Sequence, residues 1–305
     1  MKKVCVVGSI NTDMVVRAKT IPRPGETLLG EQFVVVQGGK GANQAVAAAR
    51  QGADVLFISR VGCDSFAENA LRSLQNDGIN IEFVKKDERA PTGVALITLS
   101  AEGENAIVVA PGANSLVSVE DVTRARELVA ASDVVLAQLE VPLAAVEAAF
   151  KIARAAGKTT ILNPAPAQTL SDELLSQVLI LTPNETEVEV LTGIKVTAAE
   201  SAKAAALSLH ARGVKTVIIT LGEKGAFVSS EGTSELVPTR RAKVVDTTAA
   251  GDVFSGVLAA ALAEDLDLLT AVRRACGAAS LSVEKLGAQT SIPYADTLKK
   301  RDTVP

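Results

Sequence analysis

The sequence predicts an α/β protein: a three-layer sandwich in which helices cover both faces of a mostly parallel central sheet, with a small extra β-sheet. Short apolar segments alternate with alanine-rich segments of helical periodicity, which is the pattern of a parallel sheet with helical crossovers. The 305 residues are 48% hydrophobic and 22% charged, an ordinary globular composition. No apolar run reaches the ~18–20 residues that a membrane span needs.

The central sheet is predicted from short apolar segments that each fit one buried strand. They cover residues 4–8, 54–61, 133–139, 159–163, 178–182 and 216–221. Alanine, leucine and valine recur with helical spacing between them, which predicts helices. The helices cover residues 42–51, 65–77, 119–131, 143–156 and 198–212. Gly52, Gly157 and Gly213 follow three of these helices, where glycine commonly ends a helix.

Two insertions interrupt this alternation and predict a small antiparallel accessory sheet. The first, at about 13–37, places prolines and a glycine between two β-rich pieces. The second, at about 91–111, has a hairpin signal at 100–104. Such a sheet cannot bury a core of its own, so it is expected to serve as an active-site lid or a dimer contact. The whole chain, 1–305, is otherwise predicted to form one domain.

Composition excludes several classes of function. The only histidine is His210, so a histidine-rich metal site is excluded. It lies in an apolar helical segment and is interpreted as a structural or surface residue. Tryptophan is absent and the net charge is −4, which argues against nucleic-acid binding. The scattered, odd-numbered cysteines Cys5, Cys63 and Cys276 are typical of reduced thiols in a cytoplasmic protein.

The segment 244–252 is the first candidate for chemistry. A β-branched run enters a turn of small residues, and an alanine-rich helix (253–263) follows. Small residues at a helix N-terminus let backbone amides face an anion. Asp252 would lie beside that anion site, where a carboxylate can accept a hydroxyl proton during phosphoryl transfer. The structural alternative is an acidic residue that only complements the helix dipole.

A glycine-rich helix start covers residues 38–45. It is not a phosphate-binding P-loop, because Gly41 follows Lys40, and Gln44 stands where a dinucleotide fingerprint needs glycine. Residues 8–11 after the first strand also lack that fingerprint, which counts against a nicotinamide enzyme. The glycines would let a ligand approach the backbone, with Asn43 as a polar group. A flexible hinge is the alternative.

Polar residues follow other predicted strands. Asn11 and Asp13 point to one side of an extended segment and can hold vicinal sugar hydroxyls, although a turn that closes the strand fits the pattern better. Glu140 follows another strand. Asn184 and Glu187 share a helical face and can hold Mg²⁺ through water, or form a capping box. A glycine-flanked turn at 220–225 can carry a nucleotide or be an ordinary hairpin.

Together, residues 38–43, the turn 246–252 and the pair Asn184 and Glu187 resemble the signatures of the PfkB-type (ribokinase) carbohydrate kinase family. The resemblance covers nearly the whole chain and implies the family's ribokinase-like three-layer sandwich with a β-sheet lid. It also implies ATP-dependent phosphorylation of a sugar hydroxyl, and a homodimer joined through the lid sheets.

The resemblance implies a role for each matching position. Asp252 would be the catalytic base. The amides that stabilise charge on the transferred phosphoryl group would belong to Ala249, Ala250 and Gly251. The sugar would be held by Asn11, Asp13, Gly39, Lys40, Gly41, Ala42, Asn43, Glu140 and Asp252. ATP would be bound by Asn184, Thr220, Leu221, Gly222, Glu223, Lys224, Gly225, Gly251, Asp252 and Cys276.

Two metal ions are also implied. Mg²⁺ would accompany ATP near Asn184 and Glu187. An activating K⁺ would be held by Asp246, Thr248, Ser282, Lys285, Gly287 and Ser291, several of them through backbone carbonyls. Some relatives carry a histidine near adenine where this chain has Cys276.

The substrate expectation rests on Asn11. Relatives that act on deoxyribose tend to carry an apolar residue at this position, whereas a buried amide discriminates against a ligand that lacks the hydroxyl. Asn11 beside Asp13 therefore favours the 5-hydroxyl of D-ribose as the acceptor. Few aromatic residues argue against an adenosine kinase. The alternatives are a 2-deoxyribose kinase or another sugar or nucleoside kinase, and, from another class, a non-catalytic sugar-binding regulator.

Overall fold

The computed structural model describes residues 2–302, so residue 1 and residues 303–305 of the predicted domain lie outside the described part. Strands and helices alternate along most of the chain. The strands are β1 (Lys3–Val7), β2 (Asn11–Ala18), β3 (Gln32–Gly38), β4 (Asp54–Val61), β5 (Asn80–Lys86), β6 (Gly93–Ser100), β7 (Asn105–Ala110), β8 (Val134–Ala137), β9 (Thr159–Leu162), β10 (Ile180–Leu181), β11 (Thr216–Thr220), β12 (Ala226–Ser230) and β13 (Thr233–Val237). The helices are α1 (Lys40–Arg50), α2 (Ser65–Asn76), α3 (Val119–Arg124), α4 (Arg126–Ala131), α5 (Leu143–Ala155), α6 (Asp172–Gln177), α7 (Glu185–Thr192), α8 (Ala199–Ala211), α9 (Ala250–Ala263), α10 (Leu268–Ser282) and α11 (Ala295–Asp302).

Nine strands form the central sheet in the order β13-β12-β11-β10-β9-β8-β1-β4-β5. The seven strands from β11 to β5 in this order run parallel. Strand β12 pairs in antiparallel fashion with both β11 and β13. The predicted α/β class and mostly parallel sheet are confirmed. The strand order reverses between β1 and β8, and ligands of open α/β sheets bind in the crevice at such a reversal.

Hydrophobic clusters cover both faces of this sheet. On β1, Val4 and Val6 pack into the cluster with α1, α9 and α10, whereas Cys5 and Val7 pack into the cluster with α5 and α8. All four side chains are fully buried, which explains why β1 is a continuous apolar run rather than an alternating one. Burial raises the pKa of the Cys5 thiol to about 12, so this cysteine is an inert core residue.

The smaller sheet has the strand order β3-β2-β6-β7 and is built from the two predicted insertions. The expectation of an antiparallel sheet was wrong for its central pair, because β2 and β6 run parallel. The outer pairs are antiparallel. The two insertions leave the central sheet at the same edge and in the same direction, so their first strands lie side by side.

Some elements differ from the sequence expectations. The helix predicted at 119–131 divides into α3 and α4 at Ala125, whose φ of −94° and ψ of 9° leave the helical range. Residues 119–131 contain neither glycine nor proline, and Val122, Ala125 and Val129 are all buried, so both helices pack against the core. Gly52, Gly157 and Gly213 directly follow their helices with positive φ, as predicted. None of the helices in residues 2–302 is long and apolar enough to cross a membrane.

A buried ion cluster joins β4 to the segments that flank the smaller sheet. The Arg60 guanidinium bonds Asp121 at 2.7 Å and Asp87 at 2.6 Å, and the three side chains are at most 5% exposed. Removing one partner of a buried charge cluster leaves the others uncompensated.

We expect Arg60→Met to lower the free energy of unfolding by about 2–4 kcal/mol, measured by denaturant titration. Arg89→Met is the matched control, since Arg89 also pairs with Asp87 but its side chain is 71% exposed. It is expected to change stability little. Equal losses in the two variants would contradict a role for burial.

Candidate active site

The main cavity opens at the carboxyl ends of β1 and β8, where the strand order reverses. It has a volume of about 840 Å³. Of the residues predicted to bind sugar or perform catalysis, it is lined by Asn11, Asp13, Gly39, Lys40, Asn43, Glu140, Ala249 and Asp252. The structure therefore brings together residues that lie up to 241 positions apart in the sequence.

The smaller sheet forms one wall of this cavity. Ala95 and Ile97 of β6 and Ile107 and Val109 of β7 line it, and cross-strand pairing places Asp13 beside Ala95. Successive residues of a strand face opposite sides. The other face of the sheet is therefore turned away from the cavity, so this sheet covers the residues predicted to bind sugar from one side.

Two helix N-termini, those of α1 and α9, meet at the cavity. Their N-cap residues, Gly39 and Ala249, make no side-chain capping bond. Ala249 has a φ of 62°, a left-handed conformation that an alanine adopts only at a cost of ~1–3 kcal/mol, and such strain concentrates at functional sites. First-turn amides without a side-chain cap can receive an anion. The amide of Ala250 makes one 3.3 Å bond to the Thr247 carbonyl.

Asp252 lies in the first turn of α9 and is 6% exposed. Each of its carboxylate oxygens accepts a hydrogen bond from a side-chain amide of α1: Oδ2 from Asn43 at 3.0 Å, and Oδ1 from Gln44 at 2.9 Å. The helices approach closely because Gly256 of α9 faces the Gln44 carbonyl, and a Cβ at Gly256 would collide with it. The carboxylate is therefore fixed and points into the cavity.

Asn11 is oriented by a residue that the sequence did not single out. Asn114 donates to the Asn11 Oδ1 at 2.7 Å and also bonds the amide and the carbonyl of Ile10. The Asn11 amide nitrogen is thus left to donate toward the cavity. Gly93 makes this arrangement possible, because a Cβ there would collide with both asparagine side chains. Asn11 is the first residue of β2, so the Asx turn considered for it does not form. Asn114 lies in the short turn that follows β7.

The cavity concentrates charged groups. Burial and the neighbouring carboxylates Glu140 and Asp252 raise the pKa of Asp13 to about 7, although Lys40 opposes the shift. Burial lowers the pKa of the Lys40 ammonium, but the surrounding carboxylates, led by Asp252, outweigh it, so the net shift is upward. Lys40 therefore stays charged and partly balances the carboxylates. Glu140 accepts hydrogen bonds from the Ser9 hydroxyl at 2.5 Å and the Lys40 amide at 3.1 Å.

Gly41 and Ala42 support the site rather than line the cavity. The Gly41 amide donates to the Ser9 hydroxyl at 3.2 Å, and the Ala42 amide donates to the Ser9 carbonyl at 2.9 Å. These bonds attach the start of α1 to the segment that follows β1. Their contact with sugar stays a prediction.

The sequence left two interpretations open for Asn184 and Glu187, and the structure shows one of them, a reciprocal capping box. The Asn184 amide donates to Glu187 at 2.9 Å, and the Glu187 amide donates to the Asn184 side chain at 2.8 Å. Burial raises the pKa of Glu187, although the bond from Asn184 and the Lys40 charge oppose it. Their oxygens suit a hydrated Mg²⁺, because a carboxylate that accepts two bonds retains further lone pairs.

The residues predicted to bind ATP lie farther along the same sheet edge. Asn184 pairs with Thr220, which places α7 beside the turn after β11. Residues 220–225 form a tight turn between β11 and β12, so the hairpin interpretation holds, and a nucleotide site there stays a prediction. Cys276 is 5% exposed within the hydrophobic core, and burial raises the pKa of its thiol to about 12. The structure does not bring its side chain to the cavity.

The residues predicted to hold K⁺ lie in the loop before α9 and in the segment that runs from Ser282, the last residue of α10, to Ser291. Asp246 accepts bonds from the Thr248 amide and hydroxyl at 2.9 and 2.6 Å and from the Gly287 amide at 2.8 Å. Burial raises the pKa of Asp246, but these bonds outweigh it, so the net shift is downward. Val283 directly follows Ser282, and its carbonyl accepts from the Asp246 amide at 3.2 Å. The Lys285 amide donates to the Ser282 carbonyl at 3.1 Å. The Ser291 hydroxyl donates to the Ala288 carbonyl, within its own loop.

Sequence reasoning missed the buried amides behind the cavity. Gln138 donates to Gln44 at 2.6 Å, and Gln44 donates to both Asn163 and Asp252. A glutamine inside an alanine-rich helix, and another directly after an apolar strand, are the signals that could have indicated them. His210 bonds Ser229 and the Val214 carbonyl, which confirms its structural interpretation.

Comparisons with known proteins agree with this geometry. A family model described as pfkB family carbohydrate kinase matches residues 1–295. The chain is 47% identical to a ribokinase of Haemophilus influenzae, over 96% of this chain and 95% of the relative. It is 39% identical to a deoxyribokinase of Salmonella typhi, over 95% of each chain. A solved structure of Arabidopsis thaliana ribokinase complexed with ribose and ATP superimposes with a TM-score of 0.91, at 33% identity over 99% of each chain.

Proposed function

The chain belongs to the pfkB family of carbohydrate kinases, and we propose that it is an ATP-dependent ribokinase, which transfers the γ-phosphoryl group of ATP to the 5-hydroxyl of D-ribose. The observation that carries the proposal is the position of Asp252. It is fixed at an uncapped helix N-terminus, in one cavity with Asn11 and Asp13.

The polar groups of the cavity suit a small polyol. The Asn11 amide donates, the carboxylates of Asp13 and Glu140 accept, and Asn43 presents a buried Oδ1 that has no hydrogen-bond partner in residues 2–302. Ribose hydroxyls both donate and accept, so they can satisfy all four groups. The lid residues Ile97 and Ile107 would cover the sugar and exclude water, which suppresses hydrolysis of ATP.

Asp252 performs the proton transfer in this proposal. Its carboxylate orients the ribose 5-hydroxyl and accepts the proton as the oxygen attacks the γ-phosphorus. The amides of Ala249, Ala250 and Gly251, at the positive end of α9, would stabilise charge on the phosphoryl oxygens. Lys40 supplies a further positive charge beside Asp252. The products are D-ribose 5-phosphate and ADP.

ATP would lie along the sheet edge, between the cavity and residues 220–225. Asn184 and Glu187 would hold Mg²⁺ through its water shell, and the ion would neutralise phosphate charge. Lys40 lies within electrostatic range of Glu187 and of Asp252, so this group connects the nucleotide end with the sugar end of the site.

We also propose that two copies associate through their lid sheets in the cytoplasm. The face turned away from the cavity carries a cross-strand row of Val35, Met14, Leu96 and Val108. Leu96 is 53% exposed and Val108 is 67% exposed. Covering such a face removes apolar area from water, and a second copy offers a matching surface.

The substrate test is a panel of D-ribose, 2-deoxy-D-ribose, a hexose and adenosine with Mg-ATP, scored by ADP release. We expect kcat/KM for ribose to exceed that for 2-deoxyribose by about 10²-fold or more, because the deoxy sugar leaves a buried amide unpaired. Asn11→Leu should remove most of this preference. Equal or faster turnover of 2-deoxyribose would favour the deoxyribokinase alternative, and sugar binding without any turnover would favour a regulator.

The proposed K⁺ site predicts a cation effect. Carboxylate, hydroxyl and carbonyl oxygens suit a hard monovalent ion, and the site's loop leads directly into α9. We expect activity at saturating substrates to be about tenfold higher in K⁺ than in Na⁺, and Asp246→Asn to abolish the difference. The exposed Asp54→Asn is the control. Equal activity of the unmodified enzyme in both salts would refute the assignment.

A further inference from the structure

Gln44 is a fully buried polar side chain directly behind Asp252. It lies in α1 among buried alanines and does not line the cavity. Its Nε2 lies 2.9 Å from Asp252 Oδ1 and 3.0 Å from Asn163 Oδ1. A buried amide with three partners stabilises a defined arrangement only if every donor meets an acceptor.

A backbone carbonyl fixes the direction of these bonds. The Thr182 carbonyl can only accept, so it takes the Asn163 amide nitrogen at 3.1 Å. The Asn163 Oδ1 therefore faces Gln44, which must present its own amide nitrogen there. That nitrogen has two hydrogens, and the second is directed at Asp252 Oδ1.

The other end of Gln44 is fixed in the same direction. Gln138, at the end of β8, donates its amide nitrogen to the Gln44 Oε1 at 2.6 Å. Both Gln44 hydrogens and its carbonyl oxygen are thus engaged. If this amide rotated by a half turn, its oxygen would face the acceptor oxygens of Asn163 and Asp252, and its nitrogen would face the Gln138 nitrogen. Toward Asp252 it therefore acts as a donor only.

We propose that Gln44 is a positioning residue, which donates to the Asp252 carboxylate and holds it in the orientation that accepts the substrate proton. A carboxylate that accepts a buried hydrogen bond is stabilised in its charged form. The catalytic part of this inference rests on the proposed kinase activity. The structural part, in which Gln44 donates to the carboxylate and stabilises it, does not depend on that activity.

Other groups act on the same carboxylate. Asn43 donates to its second oxygen, Lys40 of α1 attracts it, and Asp13 of β2 and Glu187 of α7 repel it. Glu140, after β8, acts on Lys40 and Asp13. The side-chain hydrogen bonds of Gln44 go instead to Gln138, Asn163 and Asp252, so a change at Gln44 leaves the bonds of these other groups in place.

The kinetic test compares Gln44→Met, which removes the donor at similar volume, with Gln51→Met as control. Gln51 is also buried, at the end of the same helix, where it bonds the Pro293 carbonyl. We expect Gln44→Met to lower kcat about 10–100-fold, to leave both KM values within about threefold, and to move the acid limb of the pH profile up by about one unit. A folded Gln44→Met enzyme with unchanged kcat and acid limb would overturn the proposal.

Gln44→Glu serves as a second variant of the same shape. Two adjacent carboxyl groups share a proton, so its acid limb should move up further than that of Gln44→Met. An acid limb at the wild-type position would contradict the donor role. This variant retains the side-chain volume, so it tests the proposal even if Gln44→Met does not fold.

Thermal unfolding tests the donor role without activity. The drop in Tm caused by Gln44→Met should be smaller in an Asp252→Asn background, because a hydrogen bond to a charged acceptor contributes more than one to a neutral amide oxygen. The drop caused by Gln51→Met should be the same in both backgrounds. Equal drops for Gln44→Met in the two backgrounds would overturn the inference even if the enzyme were inactive toward every sugar. A wild-type enzyme that is inactive toward every sugar would instead contradict the proposed function.

Discussion

Replacing Asp252 with asparagine is expected to lower kcat with ribose by about 10³-fold or more, the scale seen when other enzymes lose an essential base. The asparagine has the same shape but cannot accept the hydroxyl proton. Steady-state ADP release measures the loss, and calorimetry with ribose measures binding, which should persist because Asn11 and Asp13 are untouched. Activity within tenfold of the wild type would contradict the assignment of Asp252 as the base.

The variant should fold, because its new amide nitrogen has an acceptor nearby. Gln44 is fixed as a donor, so the introduced asparagine would keep its oxygen there and turn its nitrogen toward Asn43. The Asn43 Oδ1 has no partner in the described chain, so a half turn of this amide lets it accept the new bond. Asp265→Asn is the control: it is exposed at the far end of α9 with a φ of 60°, a conformation that asparagine tolerates.

Local sequence patterns predicted six of the nine central strands, because each of the six is a short apolar segment. They did not predict β5, β12 and β13, in which polar residues stand among the apolar ones. The continuous burial of Val4 to Val7 needs both faces covered, which the alternation with helices already indicates. The direction of the β2–β6 pair had no such signal, since its two strands lie 75 positions apart at their closest ends. Parallel pairing there depends on where both insertions leave the central sheet, which only the tertiary fold decides.

The residues of the candidate site were predictable where they belong to sequence motifs. Asp252 and Asn43 belong to motifs whose spacing was informative, and the structure places both on the cavity. Gln44, Gln138 and Asn114 act through buried hydrogen bonds between distant segments. A single asparagine or glutamine shows no periodicity or motif spacing in the sequence, so its hydrogen-bond partner can be identified only in the folded structure.

Replacing Asp13 with asparagine is expected to weaken ribose binding and to stabilise the empty protein. Hydrogen bonds to a charged acceptor contribute about 1.5–3 kcal/mol each, so KM for ribose should rise roughly 10²-fold while KM for ATP changes little. The stabilisation follows from the pKa of Asp13, which burial and the neighbouring carboxylates raise from 3.8 to about 7.

The sign of the stability change is set by that upward shift. Between about pH 4 and 7 the unfolded chain has released the Asp13 proton and the folded chain still holds it, so the folded protein loses stability as pH rises. Above pH 7 the loss is complete, at about 2–4 kcal/mol. Asp13→Asn removes it, so Tm should rise by about 3–6 °C at pH 8 and hardly change near pH 4. Asp54→Asn, at an exposed position, should shift neither value.

Ribose should reverse this penalty in the wild-type enzyme. Sugar hydroxyls that donate to Asp13 favour its charged form, so binding should release a proton near pH 7 and tighten as the pH rises from 6 to 8. Calorimetry in buffers of different ionisation enthalpy measures that proton, and Asp13→Asn should abolish its release. A wild-type affinity that is constant across this range, with no proton released, would show that Asp13 does not accept the sugar's hydroxyls. The presence of a destabilising Asp13 carboxylate in the empty site would then not be explained by ligand binding.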